Sequence, residues 1–201
     1  MAEDFVKFKC HHCNHCCTDV ICLPTPWDVR RIMKMTGMEP FDFVEFITPD
    51  EVEDVGLDDP TWLEIDGEHY MMALKRDEKT GCGFLDNKTK YCTIYEARPL
   101  LCRLYPFKVR ENKKGKYKGF TLHKDVGCPK HEDGKMATAP LHDLYVQDDL
   151  NCEDYHELVE VFNSKNYKGK EAEDFVIMFT GGLMDFDENV VQANESLEEA
   201  S

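Results

Sequence analysis

The sequence has little positive charge and no long apolar run. Its 201 residues contain 24 Lys and Arg against 40 Asp and Glu, a formal net charge of -16. Nucleic acids and anionic membrane surfaces bind basic protein surfaces, so the negative net charge argues against both as general partners. The longest apolar runs, such as Phe175 to Phe179, are far too short for a transmembrane helix.

The first ten residues, MAEDFVKFKC, also lack the apolar segment of a secretory signal peptide. We therefore expect a cytoplasmic protein. In that reducing compartment the ten cysteines are expected to be metal-bound thiolates, although their even number would also permit five disulfides. The length and the 42% hydrophobic content fit one compact core with appended helices.

Four cysteines fall within eight positions near the start: Cys10, Cys13, Cys16 and Cys17, in a C-x-x-C-x-x-C-C pattern. Thiolates are soft ligands for zinc, copper(I) and iron–sulfur clusters. The first three cysteines have the spacing of the bacterial ferredoxin run, whose cysteines hold three corners of a four-iron cluster. Zinc stays an alternative, because three histidines lie among these cysteines.

The adjacent pair Cys16 and Cys17 adds a geometric expectation. On an extended backbone, neighbouring side chains project to opposite sides. We therefore expect these two cysteines to serve two centres rather than to bind one mononuclear centre as adjacent ligands.

The remaining chain predicts a small α+β fold. Thr25 as N-cap and Pro26 at the first helical position predict a helix that ends before Gly37. The apolar pattern from Glu39 to Ile47 indicates a second short helix. Asp66-Gly67, between two apolar segments, is typical of a β-hairpin turn.

Further along, Pro99 should end any helix begun at Thr93 and start a new turn that carries Cys102. Residues 107–109 and 117–122 can pair as a second hairpin. That hairpin is locally basic in an acidic protein, which favours a solvated surface and also permits docking of an acidic partner. Apolar residues at helical spacing after residue 140 predict packed C-terminal helices.

The cysteines outside the first cluster lie in specific contexts: Cys82-x-Phe84-Leu85, then CTIYEARPLLCRLYPF over 92–107, then Gly127-Cys128-Pro129. The combined pattern resembles the CxxCxxCC family of zinc- or iron-chelating proteins, which also includes the flagellin lysine N-methylases. The resemblance covers roughly Phe8 to Pro129. We accordingly expect a cysteine-cluster domain over 1–135, a helical extension of it over 136–190, and a disordered acidic tail over 191–201.

The resemblance implies a metal site built from eight thiols, enough for two four-cysteine centres. These are Cys10, Cys13, Cys16, Cys17, Cys82, Cys92, Cys102 and Cys128. Cys22 and Cys152 lie outside the pattern and are interpreted as small buried hydrophobes. The three histidines of the first cluster have no place in the pattern, which favours exposed or supporting positions over metal ligation.

Arg98 and Arg103 lie beside the implied ligands. Eight thiolates leave a negative site, and a guanidinium that donates to sulfur or to Glu96 would offset that charge. We therefore predict that both arginines contact the cofactor, with ordinary surface ion pairs as the alternative.

Three functions follow as hypotheses. The favoured one is an iron–sulfur protein with one or two clusters, of the 4Fe-4S type, for redox or substrate chemistry with an unidentified redox or protein partner. The second is a structural zinc protein acting as an interaction module. The third, an S-adenosylmethionine-dependent protein lysine methylase, rests on family analogy alone, since the sequence shows no Gly-rich cofactor loop after a strand.

Overall fold

A computed structural model describes residues 4–52, 55–124, 126–164 and 171–181. Its helices are α1 (His15–Thr18), α2 (Pro26–Thr36), α3 (Pro40–Phe43), α4 (Leu100–Leu104), α5 (Thr138–Asn163) and α6 (Ala172–Thr180). Its strands are β1 (Phe5–Val6), β2 (Val44–Ile47), β3 (Leu63–Ile65), β4 (Glu68–Leu74), β5 (Arg76–Asp77), β6 (Gly81–Cys82), β7 (Phe107–Glu111), β8 (Tyr117–Leu122) and β9 (Met136–Ala137). The predicted α+β class is confirmed.

The largest sheet has the antiparallel order β2-β4-β3. Strands β3 and β4 form the predicted hairpin, in which Leu63 pairs with Tyr70. Asp66 and Gly67 at its turn have φ angles of 52° and 88°. Two consecutive positive φ angles match the right-handed twist of the paired strands, which is why an Asp-Gly pair is favoured there.

The predicted helix from Glu39 to Ile47 is only half right. Helix α3 ends at Phe43, and the following four residues form β2 beside β4, with Val44 paired to Leu74. Val44 and Ile47 are buried. A β-branched, aromatic-rich segment fits a half-buried strand once a neighbouring strand offers its free edge, and the sequence pattern did not reveal that neighbour.

Helix α2 is confirmed with its predicted ends. The Thr25 hydroxyl accepts a hydrogen bond from the Asp28 N–H at 3.3 Å, and the Asp28 carboxylate accepts one from the Thr25 N–H at 3.0 Å. This reciprocal pair satisfies two backbone donors that a helix start leaves open. Gly37 closes the helix with a φ of 71°.

Asp28 does more than cap a helix, since its side chain is only 1% exposed and bonds on both oxygens. Its Oδ1 accepts from Arg31 Nη2 at 2.5 Å and from the Leu100 N–H, the first of α4, at 3.1 Å. Arg31 also donates to the Arg98 carbonyl at 2.7 Å. Helix α2 is therefore fixed to the start of the helix that carries Cys102.

The C-terminal helices cover this assembly. Helix α5 runs unbroken for 26 residues and, with α6, buries Tyr155, Leu158 and Phe175 against α2 and the β2-β4-β3 sheet. No helix in the described ranges is long and apolar enough to cross a membrane. The predicted tail over 191–201 lies outside the described residues.

The second predicted hairpin is confirmed as β7 and β8, with Phe107 opposite Leu122. Phe107 packs edge-on against Phe8 at 5.1 Å between ring centroids. Strand β1, just before Phe8, pairs with β9. The basic hairpin is thus joined to the segment that leads into the first cysteines.

We predict that Asp28→Ala lowers the free energy of unfolding by about 3–5 kcal/mol, because it leaves the largely buried Arg31 unpaired and the Leu100 N–H without its acceptor. Asp42→Ala is the matched control: Asp42 holds the same third position in α3 and accepts from Glu39 N at 3.2 Å, but is exposed. Asp42→Ala should lower the free energy of unfolding by about 1 kcal/mol or less. Urea denaturation measures both, and equal losses would contradict the role given to Asp28.

We also predict that Asp148→Asn raises the free energy of unfolding by an amount that depends on pH. Burial, followed by the nearby charges of Asp28 and Asp149, raises the pKa of Asp148 to about 6. A carboxyl whose folded pKa lies above its unfolded value favours folding at low pH and loses that contribution as pH rises through 6. The free energy of unfolding of the variant should exceed that of the natural chain by about 1–2 kcal/mol at pH 7.5 and by little at pH 4. Urea midpoints at both pH values test this, with Asp154→Asn, an exposed position on the same helix, as control. A pH-independent effect of Asp148→Asn would refute the prediction.

Candidate metal centre

Cys16 and Cys17 lie on α1, one helical turn rather than an extended strand. Asn14 starts the turn with a φ of 67°, and its carbonyl accepts from the Cys17 N–H at 2.7 Å. The turn brings the two Sγ atoms to 3.7 Å. The expectation that these side chains diverge was therefore wrong, because it assumed an extended backbone.

Gly81 brings a third thiol to this turn. It has a φ of 85°, and a Cβ at this position would lie 2.4 Å from the Cys17 carbonyl oxygen and 2.8 Å from the Thr18 Cα. Only glycine allows so close an approach of two backbones. The next residue is Cys82, so this contact sets the distance of its thiol from α1.

Two further thiols come from the 92–104 segment. Cys92 forms a β-bridge with Leu85, close behind Cys82, and Cys102 lies on α4, which the Asp28 carboxylate holds at its first residue. Electrostatic interactions link Cys82 to Cys102, Cys92 and Cys16, and link Cys17 to Cys82 and Cys92. We call Cys16, Cys17, Cys82, Cys92 and Cys102 the interior thiols.

Backbone N–H groups point at several of these sulfurs. The Phe84 N–H donates to the Cys82 thiol and the Ile94 N–H donates to the Cys92 thiol, in each case from two residues further along. Such N–H···S contacts favour the thiolate form, which is the form that binds metals. The local backbone is therefore already arranged for thiolate ligands.

Protonation of the interior thiols is uneven. The hydrogen bond from Cys17 lowers the pKa of Cys16 to about 7, with Arg98 and His15 adding to the shift, while the same bond raises the pKa of Cys17. Burial raises the pKa of Cys82 to about 11 and also raises the pKa of Cys92. At neutral pH, Cys16 is the thiol most readily ionised.

The two predicted arginines lie differently. Arg98 stacks over the Tyr95 ring at 3.6 Å, and its positive charge lowers the pKa of both Cys16 and Cys92. Arg103 donates to the backbone carbonyls of Glu96 and, at 3.2 Å, of Arg98. Arg98 therefore acts on the thiols through its charge, whereas Arg103 braces the loop between Cys92 and Cys102. Direct contact of either with a cofactor stays a prediction.

The other three family cysteines form a second set, the outer thiols: Cys10, Cys13 and Cys128. Burial raises the pKa of Cys128, the Lys130 N–H opposes that shift, and Cys13 and Cys10 lie near enough to add to it. Tyr105 lies between the two sets, since its hydroxyl accepts from the Cys128 N–H at 3.3 Å and its pKa responds to both Cys128 and Cys16. The C-x-x-C-x-x-C spacing is thus divided, with Cys16 among the interior thiols.

The three histidines of the first cluster have partners other than sulfur. His11 bonds to Asp133 at 3.0 Å and stacks on His131, and His12 lies 5.2 Å from the Tyr91 ring. His15 pairs with Asp19. Their place outside the primary ligand set stays a prediction.

The sequence interpretation placed Cys22 among the buried hydrophobes, which its burial confirms, but it did not reveal a contact with Cys102. The Cys22 Sγ lies 3.4 Å from that of Cys102. Cys152, the other cysteine outside the family pattern, lies on α5 and interacts with Asp148 and Asp28 rather than with the thiols above. No motif marks Cys22, because its position depends on how the 19–25 segment packs against α4.

The donor chemistry fits a thiophilic metal. Among residues 4–52, 55–124, 126–164 and 171–181, no three His, Cys, Asp or Glu side chains form a closed coordination sphere. The thiols instead lie as close pairs and electrostatically coupled neighbours. Sulfurs bonded at about 2.3 Å to one tetrahedral zinc lie about 3.8 Å apart, close to the 3.7 Å between Cys16 and Cys17. This pair therefore has the separation that two ligands of one ion require.

The fold and these thiols define a cysteine-rich protein of the metal-chelating class. The particular family follows from comparison with known proteins. The model of the CxxCxxCC family, described as a "Putative zinc- or iron-chelating domain", matches residues 9–129. The chain belongs to this family.

One relative is the uncharacterized protein MJ0661 of Methanocaldococcus jannaschii, which is 62% identical over 29 residues. The similar segment covers 14% of this chain and 16% of that protein. No solved structure matches the chain.

We predict that metal affinity rises with pH. Cys82 and Cys92 hold their protons at neutral pH because burial raises the pKa of both, and a bound metal must displace these protons. Each proton released should raise affinity about tenfold per pH unit below the thiol pKa. Zn²⁺ affinity, measured by chelator competition at pH 6.5 and 7.5 and corrected for the chelator's own protonation, checks this. Equal affinities would show that these two thiols are not ligands.

Proposed function

We propose that this protein is an iron–sulfur protein whose interior and outer thiols hold redox-active metal centres. The observation that carries the proposal is the gathering of five interior thiols around α1, where backbone N–H groups two residues further along favour the thiolate forms of Cys82 and Cys92. A cysteine used only for packing has no need of such donors, whereas a thiolate bound to iron is stabilised by them.

The ligand type supports iron–sulfur chemistry. The residues assembled at the site are thiols, and the adjacent His11 and His15 are paired with Asp133 and Asp19. Iron–sulfur clusters are typically held by cysteine thiolates, with histidine as the exception. The outer set offers three thiols, which would leave one ligand position for a non-cysteine donor or a substrate atom.

The surroundings suit a redox centre. The interior thiols are half-buried, and Cys82, Cys92 and Cys102 pack against the main hydrophobic core. The positive charge of Arg98 acts on Cys16 and Cys92. Burial and nearby charge are the features by which a protein tunes a cluster's reduction potential. When bound, the cluster would supply one-electron chemistry, while Arg98 and the backbone N–H groups would stabilise its negative charge.

Structural zinc is the second candidate, and one distance favours it. The 3.7 Å between the Cys16 and Cys17 sulfurs suits two thiolates on a single ion. In a 4Fe-4S cluster each iron takes one cysteine, so this pair could not share an iron there. Zinc would make the site redox-silent and the protein an interaction module.

We predict iron and acid-labile sulfide in similar amounts in protein purified without oxygen, with visible absorption that bleaches on reduction and an electron paramagnetic resonance signal in one redox state. Cys92→Ser should lose most of the iron, whereas Cys152→Ser, on α5, should keep it. Full occupancy by zinc without sulfide would overturn the iron–sulfur proposal and leave the structural zinc function.

A further inference from the structure

We propose that Cys22, which lies outside the family's cysteine pattern, is a metal ligand that shares one metal ion with Cys102. The inference rests on the proposed metal-binding function and adds a ninth thiol to it, in a centre where one ion takes two thiolates, as in a zinc site or a 2Fe-2S cluster. Its basis is the distance of 3.4 Å between the two Sγ atoms. Two thiolates on one tetrahedral ion with bonds of about 2.3 Å lie about 3.8 Å apart, so a shift of a few tenths of an ångström would suffice.

The backbone holds Cys22 in this position. Its carbonyl accepts from the Leu74 N–H at 2.9 Å, which fixes the segment to the end of β4. On the other side, α4 is held by the hydrogen bond from the Leu100 N–H to Asp28. Both thiols are thus attached to braced elements, and their proximity does not depend on a flexible loop.

The environment of Cys22 differs from that of a cysteine used as a small hydrophobe. Its side chain is 6% exposed, yet its sulfur accepts a hydrogen bond from the Cys102 thiol and lies near Cys82. An apolar side chain would fill the same space, so packing alone does not call for a second thiol at this contact. Two thiols brought together in a low-dielectric interior provide soft ligands that a metal ion can occupy.

The binding step balances in charge and protons. A divalent ion bonds to both sulfurs, each thiol loses its proton to solvent, and no electron is transferred. The buried Cys22 sulfur and the half-buried Cys102 sulfur would repel each other as free thiolates, and the ion they share neutralises that charge.

Titration of the metal-free full chain with Cd²⁺, followed by the thiolate-to-cadmium charge-transfer absorbance, tests the proposal. Cys22→Ser should lose amplitude equivalent to one thiolate and bind its tightest Cd²⁺ at least tenfold more weakly. Cys152→Ser is the matched control, since Cys152 is also partly buried and outside the pattern, and it should titrate like the natural sequence.

A Cys22→Ser titration identical to that of the natural chain would overturn the proposal while leaving the metal-binding function intact. Absence of Cd²⁺ binding by the natural chain would overturn both. Because serine places a hydroxyl in a buried site, Cys22→Ala is measured alongside, with circular dichroism to establish that it folds. A loss seen with serine and not with alanine would reflect damage by the hydroxyl and would also count against ligation.

A second measurement tests the geometry without a variant. Diamide takes two electrons and two protons from a pair of thiols, forming one disulfide and its own hydrazine. In the metal-free chain we expect a Cys22–Cys102 disulfide, found by peptide mass spectrometry, and its suppression by saturating Cd²⁺. Equal formation with and without Cd²⁺ would contradict the shared site.

Discussion

The buried carboxylate of Asp28 is the interaction on which the rest of the arrangement depends. It caps α2, pairs with Arg31 and accepts from the Leu100 N–H, so one side chain joins a helix of the core to the helix that presents Cys102. Arg31 extends the connection to the Arg98 carbonyl. A buried charge of this kind is tolerated only when hydrogen bonds satisfy both oxygens, and here they do. The interior thiols are therefore held in place by elements that are fixed to the hydrophobic core.

Collecting thiols at close range has an electrostatic consequence. Two ionised sulfurs about 4 Å apart near a protein surface repel by about 4 kcal/mol, so without a metal most of them must keep their protons. Burial, and then this repulsion, raises the pKa of Cys82 and Cys92, while the hydrogen bond to Cys16 is the largest cause of the raised pKa of Cys17. Cys16 is the exception, because Cys17 donates to it and Arg98 lies nearby. It can therefore offer a thiolate to an incoming metal first, and each later ligand exchanges a proton for a metal bond.

Local signals made much of the fold predictable from the sequence. The Thr25-Pro26 start of α2, the Asp66-Gly67 turn and the break at Pro99 each act over a few residues, and each was confirmed. Strand β2 was missed because its conformation depends on the distant β4. The contact between Cys22 and Cys102 was missed for the same reason, since 80 residues separate them. Motif spacing identifies candidate ligands, but tertiary packing decides which thiols meet.

The relation between the thiols and the core bears on what a metal is for in this protein. In small zinc domains the metal replaces a core, and metal binding provides the folding free energy. Here α2, α5, α6 and the β2-β4-β3 sheet already bury a continuous apolar cluster, and the partly buried Cys82, Cys92 and Cys102 pack at its boundary. A core of this size can stabilise the chain by itself. The chain therefore does not need a metal ion in order to fold. This favours a redox role for the metal centre over a structural one.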